Sequence, residues 1–159
     1  MRGLLLVLTT GFGLGYSPLA PGTTGTLPGL PLALAIALLP PHLRIWACVV
    51  LALLAIPLCD WGENYFDRKD DRHIVADEWL TFPICLLGLP WLQYPWLLAI
   101  AFVVSRGFDI LKPPPARQAQ QLNGGLGIVA DDVMSGLYAL AVNHLIWVLI
   151  LRTGLLPAG

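Results

Sequence analysis

The sequence predicts an all-α fold, a compact helical membrane bundle of four or five apolar segments with a polar site on one face. Hydrophobic residues make up 57% of the 159-residue chain and charged residues 12%, against about 25% charged in soluble domains. Residues 3–43, 79–105 and 133–151 contain no Asp, Glu, Lys or Arg. All 10 acidic residues lie between Asp60 and Asp132. Carboxylates are therefore confined to the breaks between apolar runs.

The first half of the chain predicts a short helix, a loop and a helical hairpin. Residues 3–12 are apolar, and the glycine- and proline-rich residues 11–25 interrupt the backbone repeatedly. Residues 26–39 and 43–58 are apolar runs separated by a Pro-Pro-His turn, which predicts that they run out and back. Arg2 precedes the first apolar run as in a signal peptide, but no small-residue cleavage site follows cleanly, so we expect the N-terminus to be retained.

The second half predicts another hairpin and one long helix. Residues 79–89 and 96–108 are apolar and are separated by a turn that contains two prolines. Residues 113–115 are three prolines, which end the second of these helices. Residues 131–151 form an apolar run that begins with two Asp residues and has the roughly 20 residues needed to cross a bilayer.

The hairpin arrangement brings the polar breaks together. Because each hairpin runs out and back, its two ends emerge on the same face of the bundle. The residues expected on that face are Thr24, Asp60, Asp77, Arg106 and Asp131. Most of the Lys and Arg residues lie in the loops of this face, which the positive-inside rule assigns to the cytoplasm. The length predicts one domain, residues 1–159, with its polar site at this face.

Charge and cysteine content exclude some classes of protein. The net charge is −1 and no basic stripe is present, so we expect no nucleic-acid partner. Cys48, Cys59 and Cys85 lie in apolar stretches without metal-ligand spacing. We interpret them as buried thiols.

Two carboxylate pairs, Asp77-Glu78 and Asp131-Asp132, stand at the starts of apolar segments. Acidic residues in a first helical turn are stabilised by the helix dipole by about 0.3–1 kcal/mol, so helix capping is one explanation of each pair. A repeated pair on one face, joined by Asp60 and further carboxylates, favours a shared metal site instead. Hard oxygen ligands suit Mg²⁺, which binds through carboxylates and substrate phosphate.

Arg106, Asp109 and Lys112 follow one another at intervals of three residues, before the proline cluster. They are either a salt-bridged helix end or a phosphate site, in which Arg binds two oxygens and Lys acts as a point charge. Thr23 and Thr24 lie in a Pro-Gly-Thr-Thr-Gly turn whose backbone N–H groups could face an anion. That second signal is weak by itself, because the turn lacks the lysine of a P-loop.

Four sequence blocks together resemble the phosphatidylglycerophosphatase A family of bacterial membrane lipid phosphatases. The blocks are GFGLGYSPLAPGTTGTL, DDRHIVADE from Asp70, RGFDILKPPP from Arg106, and GGLGIVADD ending at Asp132. The resemblance covers nearly the whole chain, and departures such as Thr81 and Ser135 leave every carboxylate and cation in place.

The resemblance implies Mg²⁺-dependent hydrolysis of phosphatidylglycerol phosphate, a lipid phosphate, to phosphatidylglycerol and phosphate. It places the enzyme in the bacterial cytoplasmic membrane with its active site facing the cytoplasm. The expected catalytic residues are Asp70, Asp77, Glu78 and Asp131. The expected metal ligands are Asp60, Asp77, Glu78, Asp109, Asp131 and Asp132. The expected substrate-binding residues are Thr23, Thr24, Arg106 and Lys112.

Several alternatives remain open from the sequence. The water could be activated by a carboxylate acting as a general base, or the reaction could pass through a covalent aspartyl-phosphate. A small ion or proton transporter would also carry carboxylates near membrane segments, although here the apolar runs themselves contain none. A non-catalytic subunit that binds lipid headgroups is the third alternative, and it leaves the excess of acidic residues unexplained.

Overall fold

Eight α-helices and two short 3₁₀ helices make up the computed structural model, which describes residues 2–153. No β-strand occurs within that range, so the predicted all-α class is confirmed. The α-helices are α1 Arg2–Thr9, α2 Pro21–Gly25, α3 Gly29–Ala37, α4 Pro41–Phe66, α5 Ala76–Thr81, α6 Trp96–Leu111, α7 Ala116–Ala119 and α8 Gly125–Thr153. The 3₁₀ helices are Leu14–Tyr16 and Phe82–Leu86.

Two of these helices, α4 and α8, are long and apolar enough to cross a membrane. They contain 26 and 29 residues, which gives lengths of about 39 and 44 Å at about 1.5 Å per residue. Only 17% and 22% of their most apolar windows is buried inside the protein. A soluble core helix would be mostly buried, so the exposed apolar surface of α4 and α8 is consistent with membrane association.

The expectation of four or five membrane segments is wrong for residues 2–153, where two helices meet the length criterion. Helix α3 has 9 residues and α6 has 16, which correspond to about 14 and 24 Å against a hydrocarbon thickness of about 30 Å. The apolar run 79–89 is shorter still as a helix. It forms the end of α5 and the 3₁₀ helix Phe82–Leu86.

That 3₁₀ helix is apolar because it is buried in protein. All five of its residues are buried, and they pack against α3, α6 and α8. Side chains of α8 satisfy nearby backbone carbonyls: Asn143 Nδ2 donates to the Cys85 oxygen at 3.1 Å, and a ring nitrogen of His144 lies 2.8 Å from the Leu87 oxygen. Burial by α8 thus accounts for an apolar run that the sequence presents as a membrane segment.

Helix α8 packs between α4 and α6 and organises the bundle. One buried cluster joins Cys85, Leu97, Ala101 and Ala139, and a second joins residues of α4, α5 and α8. All three cysteines are free and buried, as expected. Helix α8 begins at Gly125 rather than at the predicted residue 131.

Candidate functional site

A polar cavity of about 290 Å³ lies where α2, α5, α6, α8 and the loop before α5 meet. These elements come from distant parts of the chain, as the hairpin argument predicts. The cavity is lined by Pro21, Gly22, Asp70, Asp71, Arg72, Ile74, Asp77, Glu78, Arg106, Asp109, Lys112, Asp131 and Asp132. Seven carboxylates and three cations therefore face one small space.

Three of the carboxylates form a tight group. One oxygen from each of Asp109, Asp131 and Asp132 can be chosen so that the three atoms lie within 4.8 Å of one another. Asp131 is 2% exposed and Asp132 is 7% exposed. Both belong to the second turn of α8, more than one turn after its first residue, Gly125. Capping of the helix start therefore does not account for this pair.

Arg106 connects the carboxylates of two helices. Its guanidinium nitrogens lie 3.2 Å from Glu78 Oε2 and 2.8 Å from Asp109 Oδ2, and it also donates to Thr26 Oγ1 at 3.3 Å. Thr26 in turn donates to Glu78 at 3.1 Å. Arg106 and its two carboxylate partners are each mostly buried, and charge-assisted bonds of this kind are among the strongest in proteins.

Lys112 forms an ion pair with Asp131. Helix α6 ends just before Lys112, whose backbone is left-handed at φ 42° and whose N–H group donates to the Phe108 oxygen at 2.8 Å. The proline that follows prevents the helix from continuing. This termination brings Lys112 to the cavity, on the side of α8 that carries Asp131.

The excess of carboxylates shifts the acid–base properties of the α5 pair. Burial, reinforced by the neighbouring Glu78, raises the pKa of Asp77 well above its ordinary value. Burial also raises the pKa of Glu78 to about 7, although Arg106 acts to lower it. Both shifts arise mainly from burial, which disfavours the charged form of a carboxyl group, and neighbouring carboxylates add to them. A bound cation would restore the balance.

Most residues predicted for the site line this cavity. Asp70, Asp77, Glu78, Asp109, Asp131, Asp132, Arg106 and Lys112 all do so. Asp60 does not: its Oδ1 accepts a hydrogen bond from the Gly125 N–H at 2.5 Å, so it caps the start of α8 from the neighbouring helix α4. The structure thus gives Asp60 a role that stabilises α8.

Thr23 and Thr24 are also absent from the lining. The Thr24 hydroxyl lies 3.0 Å from two backbone oxygens, that of Pro21 in its own helix and that of Leu14 in the preceding 3₁₀ helix. Thr26, two residues later, is the threonine that reaches Glu78 and Arg106. Thr26 lies four residues after Gly22 in the same sequence block. This spacing places both residues on one face of a helix and is the signal that could have identified Thr26.

Five residues of the cavity lining were not predicted as site residues: Pro21, Gly22, Asp71, Arg72 and Ile74. Gly22 lies so close to Glu78 and Arg106 that a Cβ atom there would meet both side chains. Asp71 is buried and accepts hydrogen bonds from the backbone of His73 at 3.0 Å and from its ring. Nothing in the sequence indicated that Asp71 would be buried, because it follows Asp70 in a polar stretch.

The helical bundle carries an acidic cavity flanked by cations, a site whose side chains could hold a divalent metal ion beside an anionic ligand. The donor set fits such an ion, because carboxylate oxygens are the ligands that Mg²⁺ prefers. The comparisons with known proteins identify the family.

Residues 7–147 match the family model described as "Phosphatidylglycerophosphatase A". Proteins with that name from Escherichia coli and Haemophilus influenzae are 32% and 38% identical to the chain, over 88% and 86% of its length and 81% and 84% of theirs. A Bacteroides thetaiotaomicron protein named "Putative phosphatidylinositol-3-phosphatase" is 35% identical over 86% of the chain and 89% of its own length. No solved structure matches the chain at a significant level. The chain belongs to the phosphatidylglycerophosphatase A family and is a phosphatase.

Proposed function

We propose that this enzyme hydrolyses the phosphomonoester of phosphatidylglycerol phosphate, releasing phosphatidylglycerol and inorganic phosphate in a Mg²⁺-dependent reaction. The observation that carries this proposal is the group formed by Asp109, Asp131 and Asp132 beside Arg106 and Lys112. A cation site and two phosphate-binding side chains are what phosphoryl chemistry needs at one point. The choice of lipid substrate follows the names of two relatives.

The three grouped carboxylates would hold the metal ion, and Asp77 and Glu78 lie at the same cavity. When bound, Mg²⁺ supplies positive charge to the phosphate oxygens and orients water. Asp60 is not part of this ligand set, because its oxygen is engaged in capping α8.

Arg106 and Lys112 bind the phosphate oxygens in this proposal. Lys112 has three N–H donors, of which one contacts Asp131. Arg106 is held in place by Glu78 and Thr26, so the guanidinium is oriented before the substrate arrives. Pre-organised donors of this kind stabilise the charge that develops on the phosphoryl group.

Asp77 is the best-placed group to accept a proton from the attacking water. It is 6% exposed and faces the cavity, and the only partner that the described residues offer its side chain is the weak donor Cys59 Sγ at 4.0 Å. The water oxygen bonds to phosphorus as the bond from phosphorus to the ester oxygen breaks. Asp77 takes the proton of the water and returns one to the departing alkoxide.

A covalent route is the alternative, in which an Asp77 oxygen attacks phosphorus and water then cleaves the aspartyl-phosphate. Chemical trapping separates the two routes. An acyl phosphate that is quenched during turnover is reduced by borohydride, which converts Asp77 to homoserine and is detected by peptide mass spectrometry. Direct attack by water leaves Asp77 unchanged under the same treatment.

The direct test is phosphate release by the purified protein in detergent. We expect release from phosphatidylglycerol phosphate with Mg²⁺, loss of it with a chelator, and a decrease of about a hundredfold or more in Asp131→Asn and Asp132→Asn. Asp67→Asn is the matched control, because Asp67 is exposed and lies outside the cavity. Equal activity of Asp132→Asn and wild type at saturating Mg²⁺ would refute the metal assignment.

The name of the Bacteroides relative raises phosphatidylinositol 3-phosphate as a second substrate. Both lipids present a phosphomonoester on a diacyl scaffold, and in this proposal the cavity residues would bind that shared group. The ratio of kcat/KM for the two lipids decides between them. A higher value for the inositol lipid would replace the proposed substrate and leave the phosphatase chemistry intact.

The orientation in the membrane is also a proposal. Residues at the cavity end of the bundle include Arg68, Lys69, Arg72 and Arg117, whereas Arg44 and Arg152 lie near the far ends of α4 and α8. The positive-inside rule therefore supports an orientation in which the cavity lies at the cytoplasmic face of the bacterial inner membrane. A membrane-impermeant thiol reagent should label a cysteine introduced at Arg117 in inside-out vesicles and leave it unlabelled in intact cells.

A further inference from the structure

An apolar groove of about 400 Å³ runs along the outside of the bundle between α6 and the start of α3. Its walls include Leu27, Leu30, Leu98, Ala99, Phe102 and Val103. Leu27 is 42% exposed and Val103 is 68% exposed, so the groove is open to the surroundings of the protein. We call it the α3–α6 groove.

The α3–α6 groove ends next to residues that reach the active-site cavity. On α6 its residues recur at intervals of three and four, and the next position in that series after Val103 is Arg106. Arg106 therefore lies on the same face of α6, about 4.5 Å further along the helix axis. On the opposite wall, Leu27 directly follows Thr26, which contacts Arg106. Both walls lead from apolar surface to the phosphate-binding side chain.

A larger apolar groove of about 550 Å³ between α4 and α8 lacks this continuity. Its α8 residues include Val129, Val133 and Leu137, which face away from Asp131 at about 100° per residue. None of the residues that line that groove belongs to α6, the helix that carries Arg106. Both grooves are apolar, so apolar character does not favour one of them as the site for the substrate. The position of the α3–α6 groove next to Arg106 does.

We propose that the α3–α6 groove binds one acyl chain of the lipid phosphate substrate while the phosphate group lies at Arg106. This inference rests on the proposed function, since it names a subsite of the same reaction. The groove spans about 12 Å along α6 from Pro95 to Val103, which accommodates most of an extended fatty acyl chain. The acyl chain would lie parallel to α6. The headgroup would then lie at Arg106 and the acyl chain in the adjoining apolar groove.

Ala99→Phe is the variant that tests the groove. Ala99 is exposed in the groove wall, so a phenylalanine ring fills the groove without entering the core. We expect kcat/KM for a long-chain lipid phosphate to fall about tenfold. This is the decrease expected if about two methylene groups of the acyl chain lose their contacts with the groove. Activity on a water-soluble short-chain analogue should stay at the wild-type value. Ala141→Phe, at an exposed position of α8 outside the groove, is the matched control and should change neither.

The outcomes separate the two proposals. If wild type releases phosphate from neither substrate, the proposed function fails and the groove with it. If wild type is active and Ala99→Phe keeps the wild-type ratio between long-chain and short-chain substrates, the groove proposal alone is overturned. A parallel decrease in Ala99→Phe and Ala141→Phe also overturns it, because both then act through the surrounding lipid.

Photolabelling provides a readout that does not require turnover. A lipid phosphate with a diazirine near the end of one acyl chain should label α6 between Pro95 and Val103, and the same lipid without its phosphate should label α6 several-fold less. Labelling that is independent of the phosphate, or that is concentrated on Val133 and Leu137 of the α4–α8 groove, contradicts the proposal.

Discussion

Replacing Arg106 by lysine tests whether the geometry of the guanidinium, rather than its charge, organises the site. Arg106 joins Glu78 at 3.2 Å, Asp109 at 2.8 Å and Thr26 at 3.3 Å. A single ammonium group can keep one of the two ion pairs. Loss of one charge-assisted hydrogen bond costs about 1.5–3 kcal/mol. If that energy holds Asp109 and the phosphate in position, kcat/KM should fall about 10- to 150-fold.

The assay is steady-state phosphate release from phosphatidylglycerol phosphate in detergent, at saturating Mg²⁺ so that weakened metal binding is not limiting. Arg117→Lys is the control, because Arg117 is exposed and forms no ion pair within residues 2–153. Thermal unfolding of both variants separates a local effect from loss of folded protein. A folded Arg106→Lys enzyme within about threefold of wild type would refute the argument from guanidinium geometry.

Three further substitutions separate effects on stability from effects on metal binding. Asp132→Asn should raise Tm in a chelator, because it removes a buried like charge, and should abolish the rise in Tm that Mg²⁺ gives the wild type. Asp60→Ala should cost about 1 kcal/mol by leaving the Gly125 N–H uncapped, with little change in the Mg²⁺ dependence, and Asp60→Asn should cost less. Burial alone would raise the pKa of Asp71, but hydrogen bonds from His73 lower it, so Asp71→Asn should be less stable than wild type at pH 7.

The sign of the last effect follows from linkage. A carboxyl group with a depressed pKa in the folded state stabilises the protein above its unfolded pKa of about 3.9, and this contribution is lost as the pH falls through the folded value. The difference in Tm between Asp71→Asn and wild type should therefore shrink below about pH 4. A difference that stays constant from pH 7 to pH 3 would show that the loss is not electrostatic. For Asp132→Asn and Asp60→Ala, unchanged Tm values would contradict the assigned roles.

The sequence predicted the convergence of the site better than it predicted the helices. Charged residues cannot lie in apolar surroundings without partners, so their positions mark the polar end of the bundle whatever the helix lengths are. This is why Asp77, Arg106 and Asp131 were correctly expected on one face. The same reasoning misjudged residues 79–89, because an apolar run buried by α8 and one exposed to lipid have the same composition.

The errors within the site have a second physical cause. A tertiary contact such as the hydrogen bond from Gly125 to Asp60 joins residues that are 65 positions apart, and no local pattern encodes it. Once Asp60 caps Gly125, α8 can begin early and carry Asp131 in its second turn. The choice between Thr24 and Thr26 likewise depends on which way a five-residue helix faces, which propensities do not determine.

The position of the carboxylates in the fold is itself an argument for their function. Asp131 and Asp132 are almost fully buried, and within residues 2–153 the ion pairs of the grouped carboxylates are those that Lys112 and Arg106 form with Asp131 and Asp109. Burying an unpaired carboxylate costs several kcal/mol, and replacing it with an apolar residue of similar volume is commonly neutral or stabilising. Asp60 caps α8 and the core clusters join the helices through other residues. A buried group of like charges that a bound cation would stabilise is what the proposed metal site predicts.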